Sequence, residues 1–242
     1  MSELYRLRVE IRVATMLCVG GPGRPHPLAD QVVAVDEQGR PYVPASTVRG
    51  RLRAHLERLL WAYGQPVCNP PRPAHMCPHA GLQDVPGGYC RACRLFGSPW
   101  REGSIRVGDF HLAGGTGPGS GSHPPVRTVV RTGVGIGRRL ATVAEGKLFF
   151  TEAVVGGMEE DAARFVGEIG VMADHRGEIG WLMAAMSLVS HLGGHKGRGL
   201  GRVSMELGAV SRWLGGSEWE PLDATQFRRE VVDLALSGAV VR

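Results

Sequence analysis

The stretch His191-Leu192-Gly193-Gly194-His195-Lys196-Gly197-Arg198-Gly199-Leu200-Gly201-Arg202 constrains this chain more than any other. It follows a long apolar run and precedes a strand-like Val203-Ser204-Met205-Glu206-Leu207. Five glycines free the backbone to adopt positive φ and to approach a polyanion closely, and His195, Lys196, Arg198 and Arg202 supply attraction. The composition is that of a phosphate cradle. It is not a Walker A loop, because no Gly-Lys-Ser/Thr occurs, and it is not a dinucleotide fingerprint, because it follows a helix-like segment. Its plain structural reading is a helix C-cap and a tight turn into a strand, with the charges merely solvated.

The rest of the chain decides between these readings. A net charge of +5 on 242 residues favours an acidic partner, and nucleic acid is the first candidate. No apolar run approaches the roughly 20 residues of a membrane span, and the amino terminus carries charge from Glu3 onward, so neither an anchor nor a secretory signal is expected and the chain reads as cytosolic. Thirty-six glycines and sixteen prolines imply many turns or ordered loops.

Residues 4–14 alternate, with Leu7, Val9, Ile11 and Val13 on one face and Arg6, Arg8, Glu10 and Arg12 on the other, which predicts a half-buried strand with a basic outer face. A Gly/Pro-rich loop at 20–27 follows, then short strands at 31–35 and 41–43 around the turn Asp36-Glu37-Gln38-Gly39. From Ser46 the period becomes helical: Val48, Leu52, Leu56, Leu59, Leu60 and Tyr63 recur behind the caps Ser46 and Thr47, with Arg49, Arg51, Arg53 and Arg58 on the polar side. An anion is favoured at that helix start. Residues 64–104 have little periodicity and read as an insertion; 105–110 is strand-like, and 114–125 is a glycine, serine and proline tract. Residues 126–136 and 147–155 form the arms of a projecting β structure lined by Arg127, Arg131, Arg138 and Arg139. Ala162, Phe165, Val166 and Ile169 suggest a helix, 179–192 a strongly apolar one, 202–210 a strand and 224–236 a terminal helix. The order predicts a single α+β domain over 1–242 with a mainly antiparallel sheet, which a ferredoxin-like or RNA-recognition-like core with insertions would fit.

Cys68, Cys77, Cys90 and Cys93 cluster in the insertion, and Cys90-Arg91-Ala92-Cys93 is a Cys-x-x-Cys knuckle able to put two thiolates on one ion. Structural zinc is the expectation for such a coreless loop, with Cys77, His75 or His79 as the remaining ligand, against ordinary thiols or a redox pair. Cys18 reads as a buried residue in a strand. Asp30 stands where the loop passes into a strand; a carboxylate there could bind a divalent metal or orient a 2′-hydroxyl, although a lone Asp is more often a turn residue. Basic groups fall in four places, on the first strand, the first helix, the arm and the glycine-rich loop, which suggests a track for a phosphate backbone with few aromatics for stacking.

Pro41-Tyr42-Val43-Pro44-Ala45-Ser46-Thr47-Val48-Arg49-Gly50-Arg51-Leu52-Arg53 resembles a signature of the CRISPR-associated RAMP superfamily, with Ala45 for a glycine, Thr47 for a serine and Arg49 for a lysine. Cys93-Arg94-Leu95-Phe96-Gly97-Ser98 is similar to a second block of that family, and residues 193–203 to its carboxy-proximal glycine-rich loop. Arg131-Thr132-Gly133-Val134 and Lys147-Leu148-Phe149-Phe150-Thr151-Glu152 resemble the thumb of backbone subunits in type III effector complexes. The resemblance implies an RNA-recognition-like core with a thumb hairpin, placed at 111–150, beside the zinc-binding insertion at 64–104 that the cysteines themselves suggest. It also implies copies stacked along a guide CRISPR RNA with other effector subunits, and a loop aspartate, here Asp30, that cuts target RNA with Mg2+ or another divalent metal. Ser46, Arg49 and Arg53 would hold guide phosphates, Lys196 and Arg198 would continue the track, and Arg127 and Arg131 would line the thumb. The alternatives are a non-catalytic binding subunit, or a metal-independent guide-processing nuclease using His26.

Overall fold

A computed structural model describes residues 3–21, 27–78, 88–113, 127–157, 163–173 and 176–237. Strand β1 (Glu3–Val13) alternates as its sequence dictates: Tyr5, Leu7, Val9, Ile11 and Val13 are buried, while Arg6, Arg8 and Arg12 are exposed. Helix α1 (Ala45–Ala62) buries Val48, Leu52, Leu56 and Leu60, one residue per turn. Further along the chain come the short strands β2 (Tyr42–Val43), β3 (Ile105–Val107) and β4 (Phe110–Leu112), then β7 (Arg164–Ala173), helix α3 (Arg176–Ser187) and β8 (Val203–Gly215).

The main sheet runs β2-β4-β7-β1-β8-β9, with β3 also on β7, and β9 (Glu218–Leu222) closes one edge. Every named pair in it is antiparallel. Its centre, β4-β7-β1-β8 with α1 after β1 and α3 after β7, is the ferredoxin-like strand-helix-strand-strand-helix-strand unit. The core lies between one sheet face and the layer of α1, α3 and α4 (Ala224–Ser237): Tyr5 packs on Phe227 of α4 with ring centroids 5.3 Å apart, and Trp181 and Met183 of α3 are buried. Burying each such large side chain contributes about 1.5–3 kcal/mol.

Five expectations are corrected. Residues 164–173 are strand β7, not a helix. Phe165 and Ile169 match helical spacing by coincidence, but the alternating positions Phe165, Gly167, Ile169, Val171 and Ala173 are the buried ones, and Gly167 and Gly170 disfavour helix. Ser46 and Thr47 do not cap α1. Pro44 is its N-cap, and the Ala45 N–H donates to Oδ1 of Asp109, 2.7 Å away, from the break between β3 and β4. The favoured anion at that helix end is thus an internal carboxylate. The apolar helix stops at Ser187, short of residue 192, and β8 runs past residue 210 to Gly215 and pairs with β9. Residues 88–104 are not coreless, because helix α2 (Arg91–Phe96) buries Ala92, Cys93, Leu95 and Phe96.

The projecting arms are a separate two-stranded hairpin, β5 (Thr128–Ile136) and β6 (Val143–Val154), with Gly133 opposite Phe149 and Arg131 opposite Thr151. Its base is tied to the body where Leu17 bridges Val154 and Gln31 bridges Thr151. His26, His79 and the tract at 114–125 lie outside the described residues.

Candidate nucleic-acid interface

The glycine-rich loop is closed onto the segment following β1 by backbone hydrogen bonds. The Gly194 N–H donates to Cys18 O at 2.8 Å, Gly201 to Met16 O at 2.7 Å and Leu192 to Gly201 O at 2.8 Å. Two glycines are obligatory for that closure. Gly193 (φ +73°) would place a Cβ 2.2 Å from Cys18 O, and Gly201 (φ +80°) one 2.1 Å from Leu192 O. Cys18, whose carbonyl anchors the loop, is buried as expected but lies in the connection after β1 and not within a strand. Between the anchors, Lys196–Arg198 form one 3-10 turn that presents Arg198 to solvent, with His195 in the left-handed region at φ 55°.

The loop separates two hollows. On one side a hollow of about 70 Å³ is lined by Arg131, Gly133, Phe149, Thr151, His195 and Arg198. The Arg198 guanidinium lies 4.7 Å from the Phe149 ring centre, the His195 ring is nearly parallel to Phe149 at 6.3 Å, and His195 Nε2 is 2.6 Å from Gln31 Oε1. On the other side a hollow of about 400 Å³ lies between Gly193-Gly194 and Thr47, Gly50, Arg51 and Ala54 of α1. Those four helix positions have the i, i+3, i+4, i+7 spacing of one face. The glycine-rich loop thus joins the start of α1 to the base of the hairpin, with Arg51, Lys196, Arg198 and Arg131 distributed along the way. Arg127 is exposed at the hairpin base, where its carbonyl accepts the Val155 N–H, and Ser46 is exposed in the first turn of α1.

The other expected cations are not on this path. Arg49 donates to Phe96 O at 2.5 Å, and Arg53 to Gly97 O at 2.9 Å and to Glu57 at 2.8 Å. Both line a separate cleft of about 580 Å³ with Arg101 and Arg106. On the open sheet face Arg12 pairs with Glu10 (2.8 Å) and Glu206 (3.4 Å), Arg6 pairs with Glu168 (3.7 Å) and stacks over Trp219, and Arg8 sits opposite Glu168 in the register. That face is a lattice of mixed charge and not a cationic strip. The helical spacing put Arg49, Arg51, Arg53 and Arg58 together on the polar side, and the packing of α1 singles out Arg51 as the one beside Gly193-Gly194.

Asp30 is exposed at the foot of the hairpin, in a reciprocal pair with β6. Its N–H donates to Phe150 O at 2.9 Å and its Oδ2 accepts the Phe150 N–H at 2.8 Å. The next residue, Gln31, is the one that His195 contacts. Among the described residues, the four cysteines are the group of His, Cys, Asp or Glu side chains whose ligand atoms converge as metal donors. The buried Glu152 turns Oε2 to the Val33 N–H at 3.2 Å. Among the described residues Asp30 belongs to no group of three or more such side chains, so a divalent cation at Asp30 would take its remaining ligands from substrate phosphates and water.

The Sγ atoms of Cys68, Cys77, Cys90 and Cys93 all lie within 4.8 Å of one another and are buried. Cys68 and Cys93 are 3.4 Å apart and Cys90 and Cys68 3.8 Å, too far for disulfides and close to the edge of about 3.8 Å of a tetrahedron with Zn–S bonds of about 2.3 Å. Four soft donors on such edges fit zinc. His75 is exposed and outside the group, so Cys77 is the candidate that the geometry brings in. Thiols of Cys68 and Cys93 hold the Cys90 thiol well below its ordinary range, while burial pushes Cys77 up to about 12. Zinc bound here would favour all four thiolates and would brace α2 against α1, since Arg53 reaches Cys93 Sγ at 3.7 Å.

No described helix is long and apolar enough to cross a membrane. Among curated proteins none matches the chain. The sequence profile of the RAMP superfamily matches residues 10–204, which span β1, α1, the cysteine cluster, the hairpin and the glycine-rich loop. The chain belongs to the RAMP superfamily, a family that carries a CRISPR-associated, RNA-binding role.

Proposed function

We propose that this chain is a guide-RNA-binding backbone subunit of a type III CRISPR effector complex, acting with further copies of itself and other effector subunits, and that Asp30 takes part in cutting target RNA. The observation that carries the reading is the convergence at the hairpin base. Arg131 from β5 and His195 and Arg198 from the glycine-rich loop line one hollow, and Asp30 is bonded to the neighbouring Phe150. A ribose-phosphate strand laid along the loop passes from Ser46, Thr47 and Arg51 at the start of α1, over Lys196 and Arg198, to Arg131 and Arg127 at the hairpin. Backbone contacts of this kind bind without reading bases, as a guide of variable sequence requires. The hairpin acts as the thumb that bends the guide–target duplex at this point. In cleavage the Asp30 carboxylate accepts the proton of a target 2′-hydroxyl as that oxygen attacks the adjacent phosphorus, leaving a 2′,3′-cyclic phosphate.

A second reading is a subunit that binds and stacks without cutting. The hydrogen bond between Asp30 and Phe150 favours it, because it gives the carboxylate a structural task. Photo-crosslinking of a guide RNA carrying reactive nucleotides to the assembled complex tests the binding path: adducts should fall in 193–200, on the first two turns of α1 and at Phe149. Adducts confined to the open face of β1 would refute it.

A further inference from the structure

The reaction proposed for Asp30 needs a second proton transfer, to the 5′-oxygen that leaves when the phosphodiester breaks. We infer that His195 is the acid that supplies it, an inference that rests on the nuclease reading above. Three features of this residue go beyond a role in turning the loop. His195 adopts φ 55° and ψ 27°, a left-handed conformation that the same loop otherwise gives to Gly193, Gly199 and Gly201. A glycine would fit there without strain, so the imidazole is held at a conformational cost. Its orientation is fixed twice, by the Gln31 contact at 2.6 Å and by the near-parallel Phe149 ring, 6° from coplanar. The amide oxygen of Gln31 accepts from Nε2–H, which leaves Nδ1 as the nitrogen available to a ligand. The ring lines the same hollow as Arg131 and Arg198, two cations suited to the charge that builds on phosphate oxygens in the transition state. Asp30 precedes Gln31 in the chain and is bonded to Phe150, the neighbour of the Phe149 that lines this hollow, so base and acid are tied to the same short length of β6.

The step balances without a further reactant. The 2′-oxygen forms a bond to phosphorus and loses its proton to Asp30, the P–O5′ bond breaks, and the 5′-oxygen takes the proton from Nδ1 of the imidazolium. Both groups then return to their starting states by exchange with water. The imidazole and two guanidiniums that line the hollow, with the Asp30 carboxylate bonded to the adjoining Phe150, suit acid–base catalysis with electrostatic support.

The test compares His195→Asn with the wild-type chain in the assembled effector complex, since asparagine tolerates the left-handed conformation but cannot donate a proton as an acid. The substrates are a target RNA with the natural 5′-oxygen and one with sulfur at the scissile 5′ position, a leaving group that needs no protonation. The variant should cut the oxygen substrate about 100-fold or more slowly, yet cut the sulfur substrate within about threefold of wild type, with guide occupancy matched between the two complexes. Equal slowing on both substrates would make His195 a loop tether and overturn the inference alone, as would unimpaired cutting of the oxygen substrate. A wild-type complex that cuts neither substrate would overturn the nuclease reading, and this inference with it.

Discussion

Asp30→Asn and Asp30→Ala separate the hydrogen bond that the carboxylate makes to the hairpin from the catalytic task proposed for it. Alanine deletes the acceptor of the Phe150 N–H, a hydrogen bond of 2.8 Å at an exposed site. A hydrogen bond to a charged group contributes about 1.5–3 kcal/mol, and exposure to water reduces this to about 1 kcal/mol. The hairpin stays attached, because the Asp30 N–H to Phe150 O bond and the Glu152 N–H to Gln31 O bond at 2.8 Å are backbone contacts that the substitution leaves intact. For a chain of this size a change of about 1 kcal/mol lowers Tm by about 2–4 °C. Asparagine keeps an acceptor oxygen in place, so its Tm should stay within about 1 °C of wild type, but an amide cannot accept the 2′-hydroxyl proton as a carboxylate does. Cleavage by complexes assembled with either variant should fall about 100-fold or more, measured as single-turnover cutting of a labelled target with guide occupancy matched. If Asp30→Asn cuts at the wild-type rate while Asp30→Ala does not, the carboxylate serves only as a brace for the hairpin and the catalytic reasoning is wrong.

Three further outcomes follow from the geometry. Metal analysis should find one zinc per chain, and Cys93→Ser should lower both zinc content and Tm; a folded, metal-free chain with unchanged Tm would refute the site. Asp109→Ala should cost about 1 kcal/mol of stability through the lost cap on α1, a fall of about 2–4 °C in Tm, and an unchanged Tm would show that the Ala45 N–H is satisfied by water instead. Burial, with the Glu3 hydrogen bond, raises the Tyr5 hydroxyl to about 12 from its ordinary 10. Its contribution to stability is complete below pH 10 and is lost as pH rises through about 12, so denaturant midpoints should fall across that window and Tyr5→Phe should flatten the fall.

Much of this architecture was legible because burial imposes period on sequence. The alternation of Leu7, Val9, Ile11 and Val13 and the helical recurrence of Val48, Leu52, Leu56 and Leu60 record which faces meet the core. The hairpin was legible from the opposite sign, a long β-prone stretch with too little apolar bulk to be buried. Strand β7 was not legible, because Phe165 and Ile169 satisfy both periods and only its pairing with β1 and β4 decides between them. The cap on α1 comes from Asp109, sixty-four residues away, and no local pattern announces such a partner. The site shows the same division. The glycine-rich loop and the cysteine set were visible as compositions, and the cysteines converge as their spacing implied. Which arginines face that loop was not visible: Arg49 and Arg53 turn to the carbonyls of Phe96 and Gly97, and Arg51, two residues away, turns to Gly193-Gly194. On a helix a step of two reverses the face, and only the packing of α1 against the loop says which face is which.

The central claim is that an RNA backbone follows the glycine-rich loop from α1 to the hairpin, and the salt dependence of guide binding tests it most directly. Each phosphate contact to a single strand contributes about 0.7 to the slope of log K against log salt. Replacing Arg51, Arg131 and Arg198 together with glutamine should therefore reduce the magnitude of that slope by about 2, whereas the same replacement of Arg6, Arg8 and Arg12 on the open sheet face should leave it unchanged. A slope that falls with the β1 arginines and not with the loop and hairpin set would contradict the account.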